Sequence, residues 1–206
     1  MLDLKTEKKI FDLGYKLIGG LDEAGRGPLA GPVVAACVVI GPEFMITPGD
    51  LELVADSKKL SAKKREHIFS VIKEKAKAIE IGISTNEEID KINILQASFL
   101  AMRRALYKIQ TRPDYLLLDG RFKLPKTDIA QTAIVKGDAN IWTIAAASII
   151  AKVSRDYIMN ELDKKYPLYE FKKHKGYGTK LHLEKIKLYG PSPAHRLSFA
   201  PLKNLI

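Results

Sequence analysis

Three acidic sites stand beside segments that read as β-strand ends: Asp22–Glu23, Asp119 and Asp138. Strand ends of one sheet converge in space while lying far apart in sequence, and α/β proteins commonly build their sites there. Four carboxylates brought together repel strongly and need a neutralising partner. Hard divalent cations such as Mg²⁺ or Mn²⁺ supply it through oxygen ligands. Two such ions roughly 3.5–4 Å apart activate a water and stabilise the leaving oxygen of a phosphodiester. The expected chemistry is metal-assisted hydrolysis.

Each acid also has a plainer explanation. Asp119–Gly120 is a common turn dipeptide, and Asp138 is well placed to cap the helix that follows it. Glu23 next to Asp22 is awkward, because neighbours on a regular strand point to opposite faces. Both serve one metal site only if the chain leaves strand geometry there, or if Glu23 contributes through its backbone carbonyl. Gly25 and Gly27, just downstream, make such a departure cheap. Asn93 and Gln96, three apart, would share one face of a helix and face a phosphate, or else act as a cap and as ordinary surface. Ser57 and Lys58 are candidates for contact with a phosphate backbone, the lysine as a point charge. Tyr177, taken by itself, reads as a surface tyrosine in a basic loop. None of the four histidines has a spacing such as HExxH, which speaks against zinc. Trp142 and the single cysteine, Cys37, are assigned to packing, and one cysteine forms no intramolecular disulfide.

Charge narrows the class of partner. Thirty-four Lys+Arg against 24 Asp+Glu give a formal +10 in 206 residues, and the pI is near 9.5. Such a surplus suits a polyanion, since neutralising phosphates releases condensed counterions. Lys172, Lys173, Lys175, Lys180, Lys185 and Lys187 crowd one region around His174 and Tyr177, and Lys58, Lys59, Lys63, Lys64 and Arg65 form a second group. Neither lies on a strongly apolar amphipathic helix, so nucleic acid is expected rather than membrane. The charged opening MLDLKTEKKI does not look like a secretory signal, and the apolar runs Val33–Ile40 and Ile141–Ala151 are too short to span a bilayer. A cytoplasmic location is expected.

The elements that must position these residues follow from periodicity. Leu17–Leu21 and Val33–Ile40 read as strands joined by the Gly- and Pro-bearing Gly25–Pro32. Ser61 is a plausible cap for a helix carrying Ile68, Val71, Ile72, Lys75 and Ile79. Lys77–Ser84 alternates as a strand. Thr85 with Glu88 forms a capping box for a helix with Leu95, Phe99, Met102, Leu106 and Ile109 on one face. Tyr115–Leu118 is a wholly apolar central strand and Thr132–Val135 another. After Asp138 comes a long helix with Ile144, Ser148, Ala151, Ile158 and Leu162 in a stripe, and a last helix runs from Thr179 to Leu188. Strands first, then alternating helices and strands, predict an α/β layer fold with a mixed five-stranded sheet flanked by helices. The chain reads as a single domain, 1–206, with roughly 165–206 as a helical C-terminal extension.

The run GLDEAGRGPLAGPVVAA from Gly20 to Ala36 resembles the opening of type 2 ribonucleases H, called ribonuclease HII in bacteria. The resemblance continues in order through DSKKLS, NILQAS, LLLDG, VKGDA, AAASIIAKVSRD, HKGYGT and HRLSF. A lone GRG tripeptide is weak evidence; this ordered set is specific. It implies a ribonuclease H-like fold with Asp22, Glu23, Asp119 and Asp138 as metal-binding catalytic carboxylates. It implies that Gly25, Arg26 and Gly27 read the ribose 2′-hydroxyl through their backbone, the group that separates RNA from DNA. Tyr177 would pack on the sugar at a ribonucleotide–deoxyribonucleotide junction. The implied substrates are RNA–DNA hybrids and duplex DNA with embedded single ribonucleotides, cut 5′ to the ribonucleotide to leave 3′-hydroxyl and 5′-phosphate ends. A type 3 enzyme, with an extra N-terminal domain and a lysine in the glycine motif, is disfavoured: 21 residues precede Asp22, and position 26 is arginine. The other alternative, a catalytically silent binding module, is disfavoured because clustered acids hinder binding to a polyanion. The ending APLKNLI carries no glutamine-led aromatic box for a sliding clamp, and a monomer is expected.

Overall fold

A computed structural model describes residues 2–47, 49, 54 and 62–204. Ser57, Lys58 and the cap assigned to Ser61 lie outside the described residues. Five strands form one mixed sheet: β1 (Ile18–Ala24), β2 (Val33–Ile40), β3 (Ala78–Ser84), β4 (Tyr115–Asp119) and β5 (Ala130–Ile134). Their order is β3-β2-β1-β4-β5. β2 runs antiparallel to β1 and β3, whereas β4 and β5 run parallel to β1. Every residue of β2 is buried, as its unbroken apolar run demands of a strand covered on both faces.

The helices are α1 (Lys5–Asp12), α2 (Ala62–Lys75), α3 (Asn86–Lys108), α4 (Trp142–Lys165), the single turn α5 (Phe171–His174) and α6 (Lys180–Tyr189). One core joins Ile18, Ala36, Val38 and Leu117 to Ile144, Ala147 and Ala151 of α4. The other joins Leu21, Ala35, Cys37 and Leu118 to Ala97, Ala101 and Ala105 of α3. Alternate strand residues therefore feed opposite cores, with α4 on one face and α3 on the other. α4 lies very close to β1: a Cβ at Gly20 would fall 2.2 Å from the backbone of Thr143. Only glycine permits that approach, and it sets the start of α4 beside Asp22.

Several boundaries differ from the sequence reading. β1 extends to Ala24, so Asp22 and Glu23 lie within it and remain paired, Asp22 with Ala36 and Glu23 with Ala35 of β2. Ile79 belongs to β3 rather than to the preceding helix, which ends at Lys75. Asp138 does not cap α4. It sits in a 3₁₀ turn, Gly137–Ala139, and α4 begins at Trp142 without a side-chain cap from its own N-cap residue. Glu7 of α1 takes that role, accepting from the Thr143 N–H at 3.0 Å and from its hydroxyl at 3.2 Å. A carboxylate at a helix N-terminus satisfies a donor and complements the dipole. The buried line of α4 runs through Ala151, Arg155 and Met159 rather than Ile158 and Leu162.

Candidate active site

The acids meet where β1 and β4 end. Asp22 shares a face with Gly20, towards α4, and is 6 % exposed. Its Oδ1 accepts the Glu23 N–H at 2.8 Å. Burial, reinforced by the charges of Glu23 and Asp119, raises the Asp22 carboxyl well above the usual range, against a lowering contribution from the Ser148 hydroxyl on α4. Glu23 is also raised, by burial first and by Asp119, although Arg26 opposes this. Arg26 Nη1 sits 2.9 Å from Glu23 Oε1. Asp119, the last residue of β4, accepts the Gly137 N–H on Oδ1 at 2.8 Å. That bond ties the end of β4 to the turn that carries Asp138, which is half-buried.

Asp22, Glu23 and Asp119 thus feel one another's charge, and Asp138 follows the residue bonded to Asp119. Because strand pairing continues through Ala24, Glu23 leaves the sheet on the face opposite Asp22, which keeps its backbone carbonyl as the second route considered above. Among the described residues no three His, Cys, Asp or Glu side chains stand together as a ready cation cage. The donor set is nonetheless all oxygen, and burial together with neighbouring like charge raises two of its carboxyls, which fits a hard divalent cation.

The glycine loop after β1 is held from inside by two arginines that sequence reasoning did not single out. Arg155 of α4 donates Nε to Pro32 O, Nη1 to Lys175 O and Nη2 to Ala30 O, each at 3.0 Å. Arg196 donates Nε to Gly31 O at 2.9 Å, Nη1 to Arg26 O at 3.0 Å, and Nη2 to Gly25 O at 2.6 Å and Pro32 O at 3.2 Å. Both side chains are buried, 1 % and 0 % exposed, and among the described residues neither has an acidic ion-pair partner. Burial pushes Arg155 down to about 10 and Arg196 to about 9, so both stay cationic at neutral pH. Gly25 needs glycine twice over: its φ is +97°, and a Cβ would fall 2.1 Å from Arg155 Nε. A signal for Arg155 was present, since it follows Ala151 by four on the inward stripe of its helix. For Arg196 the signal was its place in HRLSF, one of the ordered motifs, which does not say what the side chain bonds.

Tyr177 lies against this loop. A side chain at Gly27 would begin 3.8 Å from Tyr177 Cε1, and the ring is 46 % exposed. Its loop is docked by the Leu29 N–H bond to Gly176 O at 2.7 Å. Behind it lies a buried histidine network. His195 Nδ1 accepts the Ser192 N–H at 2.9 Å, so its Nε2 carries the proton and donates to His182 Nε2 at 3.0 Å. His182 Nδ1 then donates to Tyr177 O at 2.9 Å. His174 stacks on His182 with centroids 4.2 Å apart and accepts the Gly176 N–H at 3.2 Å. His174 is therefore buried rather than part of a basic surface. Lys173 and Lys185 of the same group both pair with Glu170.

Asn93 and Gln96 do not share a regular helical face. Asn93 has φ 65° inside α3, where its Oδ1 accepts the N–H groups of Leu95 at 3.0 Å and Gln96 at 3.1 Å. It caps the second half of a kinked helix, and both side chains are exposed. Nearby, Asn86 and Asp90 of α3 bind the backbone of the segment carrying Arg196: Asn86 Nδ2 donates to Pro193 O and His195 O, and Asp90 accepts from Leu197 and Ser198.

A mixed five-stranded sheet, helices on both faces and a carboxylate cluster at the ends of its first and fourth strands define a ribonuclease H-like hydrolase. The ribonuclease HII family profile matches residues 19–202. Ribonuclease HII of Clostridioides difficile is 54 % identical over 97 % of this chain and 75 % of that protein. That of Endomicrobium trichonymphae is 51 % identical over 97 % and 93 %. Among solved structures, the ribonuclease H2 of Pyrococcus horikoshii superposes with a TM-score of 0.75 at 28 % identity, covering 92 % of this chain and 96 % of that one. A ribonuclease HII from Archaeoglobus fulgidus, solved in complex with PCNA, gives 0.74 at 25 % identity over 89 % and 95 %. The chain belongs to the ribonuclease HII family. It is a ribonuclease H, an enzyme that hydrolyses the RNA strand of RNA–DNA hybrids with divalent metal. Among the described residues no helix is long and apolar enough to cross a membrane.

Proposed function

We propose that the enzyme also cuts duplex DNA 5′ to a single embedded ribonucleotide, leaving 3′-hydroxyl and 5′-phosphate ends, with Asp22, Glu23, Asp119 and Asp138 holding two Mg²⁺ or Mn²⁺ ions. The observation that carries this reading is the meeting of Gly27 and Tyr177 beside the acidic strand ends. A backbone stretch with two glycines and an exposed ring face each other where a sugar would enter. Gly25–Gly27 read the 2′-hydroxyl, and the Tyr177 ring packs on the neighbouring sugar.

The chain's own residues do the rest by position. Asp22 and Asp119 stay fixed by bonds from Glu23 and Gly137, which orients their remaining oxygens. A divalent cation pair, when bound, supplies activation of the attacking water and charge neutralisation at the leaving oxygen. The basic residues 172–187 and the segment 165–206 contribute duplex grip that does not depend on sugar type. Ser57, Lys58, Asn93 and Gln96 contact the phosphate backbone in this reading, Asn93 and Gln96 around the kink of α3. The enzyme works as a cytoplasmic monomer. The test is cleavage of a DNA duplex carrying one ribonucleotide, with Mg²⁺ and with chelator. A single cut 5′ to the ribonucleotide only with metal is expected; no cut, or a cut in chelator, overturns the reading.

A further inference from the structure

Arg196 bonds two carbonyls of the glycine loop, Gly25 O and Arg26 O. A peptide unit is planar and trans, so its N–H points opposite to its C=O. Carbonyls turned inward onto Arg196 therefore turn outward the two N–H groups of the same peptide units, those of Arg26 and Gly27. Both residues are exposed, and among the described residues neither N–H has a hydrogen-bond partner. A charged donor on a carbonyl oxygen also polarises the peptide and strengthens its N–H as a donor. We infer that Arg196 is the specificity-setting residue of this enzyme: it aims and polarises the Arg26 and Gly27 amides at the ribose 2′-hydroxyl from behind, without touching substrate. This rests on the reading that the loop recognises that hydroxyl.

The surroundings suit such a role. Among the described residues Arg196 has only carbonyl acceptors and the Phe199 ring, 5.0 Å from its guanidinium. Among the described residues it has no acidic ion-pair partner, and the Asp90 charge acts on it without pairing. Asp90 and Asn86 of α3 fix its segment, as described above. Arg155 makes the complementary brace, linking Ala30 and Pro32 to Lys175 and hence to the Tyr177 loop. A guanidinium fork reaches four carbonyls at once; an ammonium at the same place reaches fewer and in no fixed plane.

The experiment compares binding, in chelator, to a DNA duplex with one ribonucleotide and to its all-deoxy twin. Wild type is expected to prefer the ribonucleotide. Arg196→Lys should lose that preference by about fivefold or more, the worth of one polar contact, while its affinity for the all-deoxy duplex stays within about twofold. A general structural defect would weaken both duplexes together. For Arg196→Ala, added guanidinium ion at millimolar concentration should restore the preference. A folded Arg196→Lys that keeps the full preference overturns the inference and leaves the loop reading standing. Wild type without any preference overturns the loop reading itself. If both variants fail to fold, the wild-type amide spectrum decides: Arg26 and Gly27 amide protons shifted downfield support the brace, and random-coil positions overturn it.

Discussion

Asp22 combines burial with two like charges, and that combination makes it costly as well as useful. Its folded-state pKa lies above the unfolded value, so the folded protein binds that proton more tightly. The stability it contributes is present at low pH and lost as pH rises through the folded value. Asp22→Asn should therefore raise Tm of the metal-free protein at pH 7 by about 2–4 °C, roughly 1 kcal/mol, with the gain fading towards pH 4. The same variant, and Asp119→Asn, should abolish cleavage while duplex binding holds or improves, because repulsion from phosphate falls. Calorimetry and a cleavage assay on one preparation check both; normal cutting by either variant sinks the metal-site assignment. Tyr177 allows a second test at this scale. Tyr177→Phe keeps the packing surface and should lose little cleavage at an embedded ribonucleotide, whereas Tyr177→Ala should lose most of it. Wild-type rates for the alanine variant would remove Tyr177 from the site.

At the level of elements, α3 depends on a residue that breaks it. Asn93 has φ 65° and ψ 164° and caps the helix beyond, so Asn93→Ala loses the cap on a backbone that any Cβ already strains. About 1 kcal/mol is expected from the lost cap, seen as a Tm drop of about 2–4 °C. Asn93→Gly accepts the conformation and should recover part of it; equal losses would contradict this account. The histidine network behind Tyr177 predicts an acid response. Burial pushes His182 and His195 down to about 4, so these groups contribute stability above the unfolded histidine value near 6.5 and lose it as pH falls towards 4. Asp22 and Glu23, raised by burial, act in the opposite direction over that window. The discriminating measurement is therefore a difference: the Tm of wild type should fall by several degrees more than that of His182→Gln between pH 7 and pH 4.5. Parallel curves would show that the network does not hold protons off.

The whole molecule presents +10 of formal charge, but not all of it is available. Glu170 pairs with Lys173 and Lys185, and this holds its carboxyl down at about 2. Duplex affinity should fall linearly in log–log terms with salt, for hybrid and plain DNA alike. Lys173→Ala should weaken both by roughly two- to fivefold, leaving Glu170 less neutralised near the phosphates. A loss confined to the ribonucleotide-bearing duplex would mean that Lys173 takes part in sugar recognition.

Local rules carried much of this chain. The apolar run Val33–Ile40 specified a strand buried on both faces, and Thr85 with Glu88 specified a helix start, since strand burial and capping depend on neighbours in sequence. The ordered motifs specified the family, because they record residue types at fixed spacings. Tertiary structure decided what depends on partners distant in the chain. Pairing with β2 kept Glu23 in the sheet; Glu7, 136 positions from Thr143, capped α4 in place of Asp138; and the φ of Asn93 put a kink where a regular helical face was expected. Arg155 and Arg196 belong here above all. Residues 30 and 32 meet residue 155, and residues 25 and 26 meet residue 196, only after the sheet and α4 have packed. No spacing along one strand or helix encodes that a buried cation will find its acceptors on backbone carbonyls 164–171 positions away.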